Sequence, residues 1–127
     1  MTDRRAIESV LHDLYAARVR GDLNALCACF GDDASLRITG ASDSNPIAIT
    51  ASGAAEYRRL LSMMMKSFKL SEFETLALLV DGERAAVHWR VRIHSRITGS
   101  VVLTELMDLV ELRDARVVTY TEFFVPR

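Results

Sequence analysis

Two acidic residues occupy positions where acids are costly. Asp108 shares an alternating strand face with Leu106, Val110 and Leu112, and Glu122 falls between Tyr120 and Phe124 on the last strand. A carboxylate among apolar neighbours must be hydrogen-bonded, paired or protonated. Two such groups on adjacent strands push their proton affinities apart. One then stays neutral and donates a hydrogen bond to developing negative charge; the other stays ionised and serves as general base or acid. Each acid alone has an equally good structural explanation. Asp108 can bond a backbone amide or a tyrosine hydroxyl, and Glu122 can pair with an arginine at the rim. Other chemistry is less well supported. His88 and His94 are six residues apart, roughly 20 Å along a strand, too far to share a metal. Cys27 and Cys29 lie two apart on a helix and point in nearly opposite directions, so they neither pair nor chelate. The run Met63-Met64-Met65 reads as filler of a core or pocket wall. No metal and no cofactor is expected.

The elements that position these residues follow from periodicity. Ile7, Val10, Leu11, Leu14 and Tyr15 form one face of a first helix, with Thr2 and Asp3 at its start and Gly21 at its end. Asp22 caps a short second helix carrying Leu23, Leu26, Cys27 and Phe30. Gly31-Asp32-Asp33 reads as a turn, Ala34 to Thr39 as a short strand with Leu36 and Ile38 on one face, Gly40 to Pro46 as a loop, and Ile47 to Thr50 as a second short strand. A third helix spans about Gly53 to Phe68, with Tyr57, Leu60, Leu61, Met64 and Phe68 as its stripe. Strands then run over Leu70–Val80, Arg84–Ile97, Val101–Leu112 and Val117–Val125, an antiparallel meander. Helices followed by strands give an α+β fold: a curved antiparallel sheet wrapped around about three N-terminal helices, one domain over residues 1–127.

Whether the two acids share a face depends on the last hairpin. A two-residue turn sets Asp108 opposite Thr121 and sends Glu122 to the other face. A three-residue loop with a left-handed Ala115 sets Asp108 opposite Tyr120, so that both acids look inward as diagonal neighbours. The hydrophobic pattern favours the second register; alanine at a left-handed position opposes it. The other sheet face carries His88, Arg90, Arg92, His94 and Arg96, with Glu105 and Glu111 as counter-charges. Val101, Leu103, Met107 and Leu109 also point there, a strip expected to form a two-fold homodimer. Recognition of an anion by the Arg/His row is a weaker alternative.

Composition removes several function classes. The 127 residues are 50% hydrophobic and 26% charged, enough for one core and too rich in apolar groups for a disordered tail. Sixteen basic and seventeen acidic residues leave a net charge of −1, against the basic excess of a nucleic-acid module or a membrane-binding patch. The longest apolar run, Leu76 to Val80, is too short to cross a bilayer, and no secretory leader is expected. Cysteines that cannot pair suit a reducing cytoplasm.

The stretches LYAARVRGDLNALCACFGDDASL, LLVDGERAAVHWRVRIHSRITG and ELMDLVELRDARVVTYTEFFV resemble the SnoaL-like, ketosteroid-isomerase-like branch of the NTF2-like superfamily, over Arg5 to Val125. The resemblance implies an NTF2-like (cystatin-like) cone, often dimeric, with a mostly apolar pocket. It implies cofactor-independent isomerase, cyclase, hydrolase or dehydratase chemistry, or a non-catalytic binding or scaffold role, since fold alone does not choose. Asp108 falls on the acid that, in steroid isomerases, donates to an enolate oxygen. Tyr15 lies near their first-helix tyrosine, although the Gly21-Asp22 spacing aligns Leu14 better. Ile38 stands where their general base is an acid. Glu122 matches the last-strand acid of limonene-epoxide-hydrolase-type enzymes, whose Arg and Asp two apart are here Trp89 and Val91. The expected catalytic set is Asp108, Glu122 and Tyr15. The expected lining for a small hydrophobic ligand is Phe30, Ile38, Met64, Trp89, Val91, Leu106, Tyr120 and Phe124.

Overall fold

Helix α1 (Arg4–Arg20) starts where the Asp3 carboxylate accepts from the Ala6 N–H, and stops at Gly21, whose φ of 74° is left-handed. The chain turns at once into α2 (Leu23–Ala28), capped by Asp22 through the Ala25 N–H. The computed structural model describes residues 3–41 and 46–124. Thr2, residues 42–45 of the expected loop and Val125 lie outside them. After α2 come β1 (Phe30–Ala41), β2 (Pro46–Ser52), α3 (Ala54–Ser67), β3 (Phe68–Asp81), β4 (Arg84–Ser95), β5 (Val101–Arg113) and β6 (Arg116–Phe124). No helix among the described residues is long and apolar enough to cross a membrane.

The six strands form one curved sheet in the order β2-β1-β6-β5-β4-β3. All neighbours are antiparallel except β1 and β6, which pair in parallel. The fully antiparallel expectation is corrected at that junction: α3 and the β3–β5 meander separate the two strands in sequence, the long connection that parallel pairing requires. The α1 stripe (Ile7, Leu11, Leu14, Tyr15) and the α3 stripe (Tyr57, Leu60, Leu61) bury themselves with the inward face of the sheet in one core. Gly40 permits a close approach there, because a Cβ would sit 2.5 Å from the Phe124 carbonyl oxygen.

Two further local expectations change. Gly31-Asp32-Asp33 is not a turn ahead of the first strand. These residues lie inside β1, where the pairing with β6 shifts between Phe30 and Ser35, so the turn-forming residues make a bulge. The last hairpin adopts neither expected register. Its turn is the two-residue one, Asp114 and Ala115 with φ of 52° and 60°, between paired Arg113 and Arg116. The register then shifts on passing from Leu112↔Val117 to Glu111↔Thr119, leaving Val118 as an extra residue. That bulge restores the phase lost at the turn and sets Asp108 directly opposite Glu122. Burial of the apolar face therefore wins over regular pairing, through a bulge rather than a longer loop.

Candidate functional site

One cross-strand row holds the acids. Ile38 of β1 pairs with Glu122 of β6, Glu122 with Asp108 of β5, Asp108 with Val87 of β4, and Val87 with Leu78 of β3. Asp108 is 0% exposed and Glu122 3%. Helix α1 crosses this row and presents Tyr15 and Arg18, three residues apart and hence on one helix face.

Each acid receives its own partners. Arg18 Nη1 donates to Glu122 Oε1 at 2.9 Å and to the Tyr120 hydroxyl at 3.1 Å. Its guanidinium also lies 5.1 Å from the Trp89 ring centroid, a cation–π contact. The hydroxyls of Tyr15 and Tyr120 both donate to Asp108 Oδ2 and stand 3.5 Å apart. The Tyr15 ring packs against Phe73 (5.0 Å) and Trp89 (5.1 Å).

Electrostatics assigns protonation states. Burial, reinforced by the Glu122 charge, pushes the Asp108 carboxyl up to about 8, against the opposing pull of Arg18 and the tyrosine hydroxyls. Burial disfavours the charged form of Arg18, but Glu122, Tyr120 and Asp108 together more than offset it and hold the guanidinium charged. Burial raises both tyrosines well above their ordinary value; Asp108 adds to both, Tyr120 adds to Tyr15, and Glu122 adds to Tyr120 against the pull of Arg18. At neutral pH the cluster therefore contains a neutral Asp108, a Glu122 carboxylate and an Arg18 cation, and its net charge is zero. A second ionised carboxyl would leave an uncompensated charge in the core.

The remaining sequence-named residues surround this cluster. Phe30 packs against the rings of Tyr57 (5.2 Å) and Tyr120 (5.9 Å). Ile38 adjoins Glu122, and Leu106 pairs with Trp89. Val91 is fully buried, while Met64 and Phe124 pack on the core partly buried. Tyr15 bonds Asp108, whereas Leu14 is sealed in the core. Tyr15 also forms part of a cleft of about 540 Å³ between α1 and β3–β4, with Leu11, Val19, Phe73, Leu78 and Val87 as apolar walls and Glu8, His12 and Arg20 exposed. Only this phenol, among the cluster's side chains, lies between cleft and Asp108. Among the described residues, no three or more His, Cys, Asp or Glu side chains gather where they could hold a metal ion.

Arg18 is the functional candidate missed in the sequence. Its signal was present: it lies four residues after Leu14 and three after Tyr15, a charge on the apolar stripe of α1. The outer face is ordered by charge pairs, Arg90 with Glu74, Arg92 with Glu72 and His88 with Glu105. Two of these counter-charges come from β3 rather than from β5.

Comparison with known proteins gives the fold and the family. A protein of Bacillus subtilis proposed to be an isomerase superposes with a TM-score of 0.83 at 18% identity, covering 98% of this chain and 89% of its own. An LEH-like epoxide hydrolase from M. tuberculosis gives 0.72 at 16% identity, covering 94% and 83%. A protein of Xanthomonas campestris proposed to be a polyketide cyclase gives 0.72 at 19%, covering 95% and 91%. At such identities the likeness concerns the fold. No curated protein matches the chain. The SnoaL-like domain model matches residues 11–120, a span that includes Tyr15, Arg18, Asp108 and Tyr120 and ends two residues before Glu122. The chain belongs to the SnoaL-like domain family.

Proposed function

We propose that this protein is a cofactor-independent acid/base enzyme acting on a small hydrophobic molecule. One observation carries the reading: a buried Asp108 lies opposite a Glu122 paired with Arg18, and Tyr15 connects Asp108 to an apolar cleft. Asp108 donates a hydrogen bond to oxygen charge that develops in the reaction. Glu122 exchanges the proton, and Arg18 pairs with it. Tyr15 and Tyr120 orient Asp108. The neighbours named above are described as a proposed isomerase, an LEH-like epoxide hydrolase and a proposed polyketide cyclase, and the same donor-plus-base arrangement suits each of those reaction types.

The test is product analysis with cyclic enones, terpene epoxides and aromatic polyketides, on the wild type and two isosteric variants. Asp108→Asn and Glu122→Gln are each expected to lower turnover roughly tenfold or more while the fold persists. Unchanged turnover in both, or no turnover with any substrate class, removes the enzyme reading.

The second reading is a non-catalytic, dimeric ligand-binding or scaffold protein. It is favoured by Ile38, an apolar residue beside Glu122 at the position where the steroid-isomerase resemblance expects an acidic base. Ligand capture without conversion across the same panel selects it. In both readings two copies pair through the outer sheet face, where Val101, Leu103, Met107 and Leu109 are about half exposed.

A further inference from the structure

Helix α1 carries more apolar surface than the core covers. Ala16 and Val19 are half-buried, on the flank of the helix that Leu11 and Tyr15 share with the cleft. Opposite them, Phe73 and Leu78 of β3 are half-buried too, and the buried Val87 of β4 completes the walls of this space of about 540 Å³. Apolar surface gathered in a concavity favours an occupant that removes it from water.

The strand explains why the gap exists. β3 lies at the edge of the sheet, and its pairing with β4 shifts twice, between Ser71 and Glu74 and between Thr75 and Ala77. Glu72 sits at the first shift with a left-handed φ of 53°. Bulges bend a strand. The two bends flank Phe73, whose ring stacks on Tyr15 at 5.0 Å, so β3 meets α1 at that stack and the cleft opens beside it.

Length and charge narrow the choice of occupant. The lining on α1 runs from Glu8 to Arg20, about 18 Å of helix at 1.5 Å per residue. A flexible chain follows a long trough with one bent wall, and a rigid ring system does not. A partner helix, roughly 10 Å across with its side chains, is too thick for a space of this volume. At one end Glu8 is neutralised by Arg4 at 2.8 Å. At the other, Arg20 pairs with Asp22 across 3.4 Å, farther than Arg4–Glu8, Arg18–Glu122, Arg90–Glu74 and Arg92–Glu72, which all lie within 2.9 Å. Asp22 is itself held as the cap of α2 by the Ala25 N–H. A guanidinium carries five N–H donors, so Arg20 retains donors for a second oxyanion.

We propose that the α1–β3 cleft binds a linear aliphatic carboxylate, its chain along Leu11, Ala16, Val19, Phe73 and Leu78 and its carboxylate at Arg20. The chain leaves water while the head group stays at the wet rim, so no charge is buried. Glu8 repels a carboxylate at the far end and sets the direction of the chain. Tyr15 stands partway along the trough with its hydroxyl on Asp108, so a functional group within the chain comes beside that phenol. The inference deepens the enzyme reading and rests on it for the chemistry, though not for the binding.

Decanoate is the probe, followed by titration calorimetry and by ¹H–¹⁵N shifts. Saturable one-to-one binding is expected, with the largest shifts at the amides of Ala16, Val19 and Thr75. From hexanoate to decanoate, affinity is expected to rise roughly two- to fourfold per methylene, fourfold being the value for complete burial. Decyltrimethylammonium, the same chain with a cationic head, is expected to bind more weakly than decanoate. Arg20→Gln is expected to lower decanoate affinity by up to about fivefold, as for an exposed ion pair, and to leave decan-1-ol unaffected. Ala16→Phe, which fills the trough, is expected to remove both. Absence of saturable decanoate binding, affinity that does not rise with chain length, equal or tighter binding of the ammonium, unchanged decanoate affinity in Arg20→Gln, or shifts confined to Leu103 and Met107 on the outer face overturns the proposal. The wild-type titrations decide even where a variant fails to fold. Decanoate bound in the cleft without turnover of any substrate keeps this site and removes the enzyme reading. Turnover lost in Asp108→Asn, beside a cleft that takes no decanoate, does the reverse.

Discussion

Arg18 pairs with one of the two acids and not with the other. It bonds Glu122 and leaves Asp108 to the tyrosines, so a single buried cation serves a single buried anion. Breaking such a pair from one side strands a charge and costs roughly 3–5 kcal/mol. Arg18→Met is therefore expected to destabilise by about that amount, and Arg18→Met/Glu122→Gln to recover most of it, read from urea midpoints. A double variant no better than the single one would refute the charge accounting. Asp108 supplies a second check. Its carboxyl is raised from 3.8 to about 8 on folding. Between those values the folded state holds a proton that the unfolded state has released, so this group's stabilisation is complete at low pH and disappears as pH rises through about 8. The stability of wild type minus that of Asp108→Asn should fall steadily across that window. A flat difference would mean that Asp108 is ionised in the fold.

At the scale of elements, the β5–β6 hairpin controls whether the acids meet. Its turn places Ala115 at φ 60°, where a Cβ is unfavourable. Ala115→Gly is expected to stabilise the protein by roughly 1 kcal/mol, the left-handed penalty less the added freedom of the unfolded chain. A lower urea midpoint in that variant would show that no strain resides there. The same hairpin marks the limit of what the sequence discloses. Alternation placed Asp108 and Glu122 on inward faces because Leu106, Val110, Tyr120 and Phe124 surround them, and burial is a period-two signal. The bulge at Val118 carries no such signal, since no glycine or proline marks it and β-branched residues flank it. Strand ends were legible to within a few residues from turn chemistry at Asp81-Gly82 and Thr98-Gly99. The Arg18–Glu122 pair joins residues 104 apart in sequence, so a local pattern exposes the odd charge on the α1 stripe but not its partner.

For the whole molecule, the two faces of the sheet divide the work. The inner face buries the cluster under α1, while the outer face is open and ordered in cross-strand rows. Along one row Leu79, Ala86, Leu109 and Thr121 pair in turn, and the small Ala86 leaves a groove of about 580 Å³ beside the exposed Leu79 and Leu109. Farther along, Leu103 and Val101 stand about half exposed beside the charge pairs Arg90–Glu74 and Arg92–Glu72. A face that carries both signs of charge and an apolar strip has what an isologous two-fold contact would use, and it carries the dimer proposal. A light-scattering mass of two chains is expected for the wild type, and one chain for Leu103→Glu, which sets a carboxylate into the strip. Because the substitution lies across the sheet from Asp108, the pH dependence contributed by that acid should persist in the monomer. A wild type that runs as one chain at every concentration ends the dimer proposal, whereas a monomeric Leu103→Glu that loses the Asp108 dependence would mean that pairing shapes the acid cluster through the sheet.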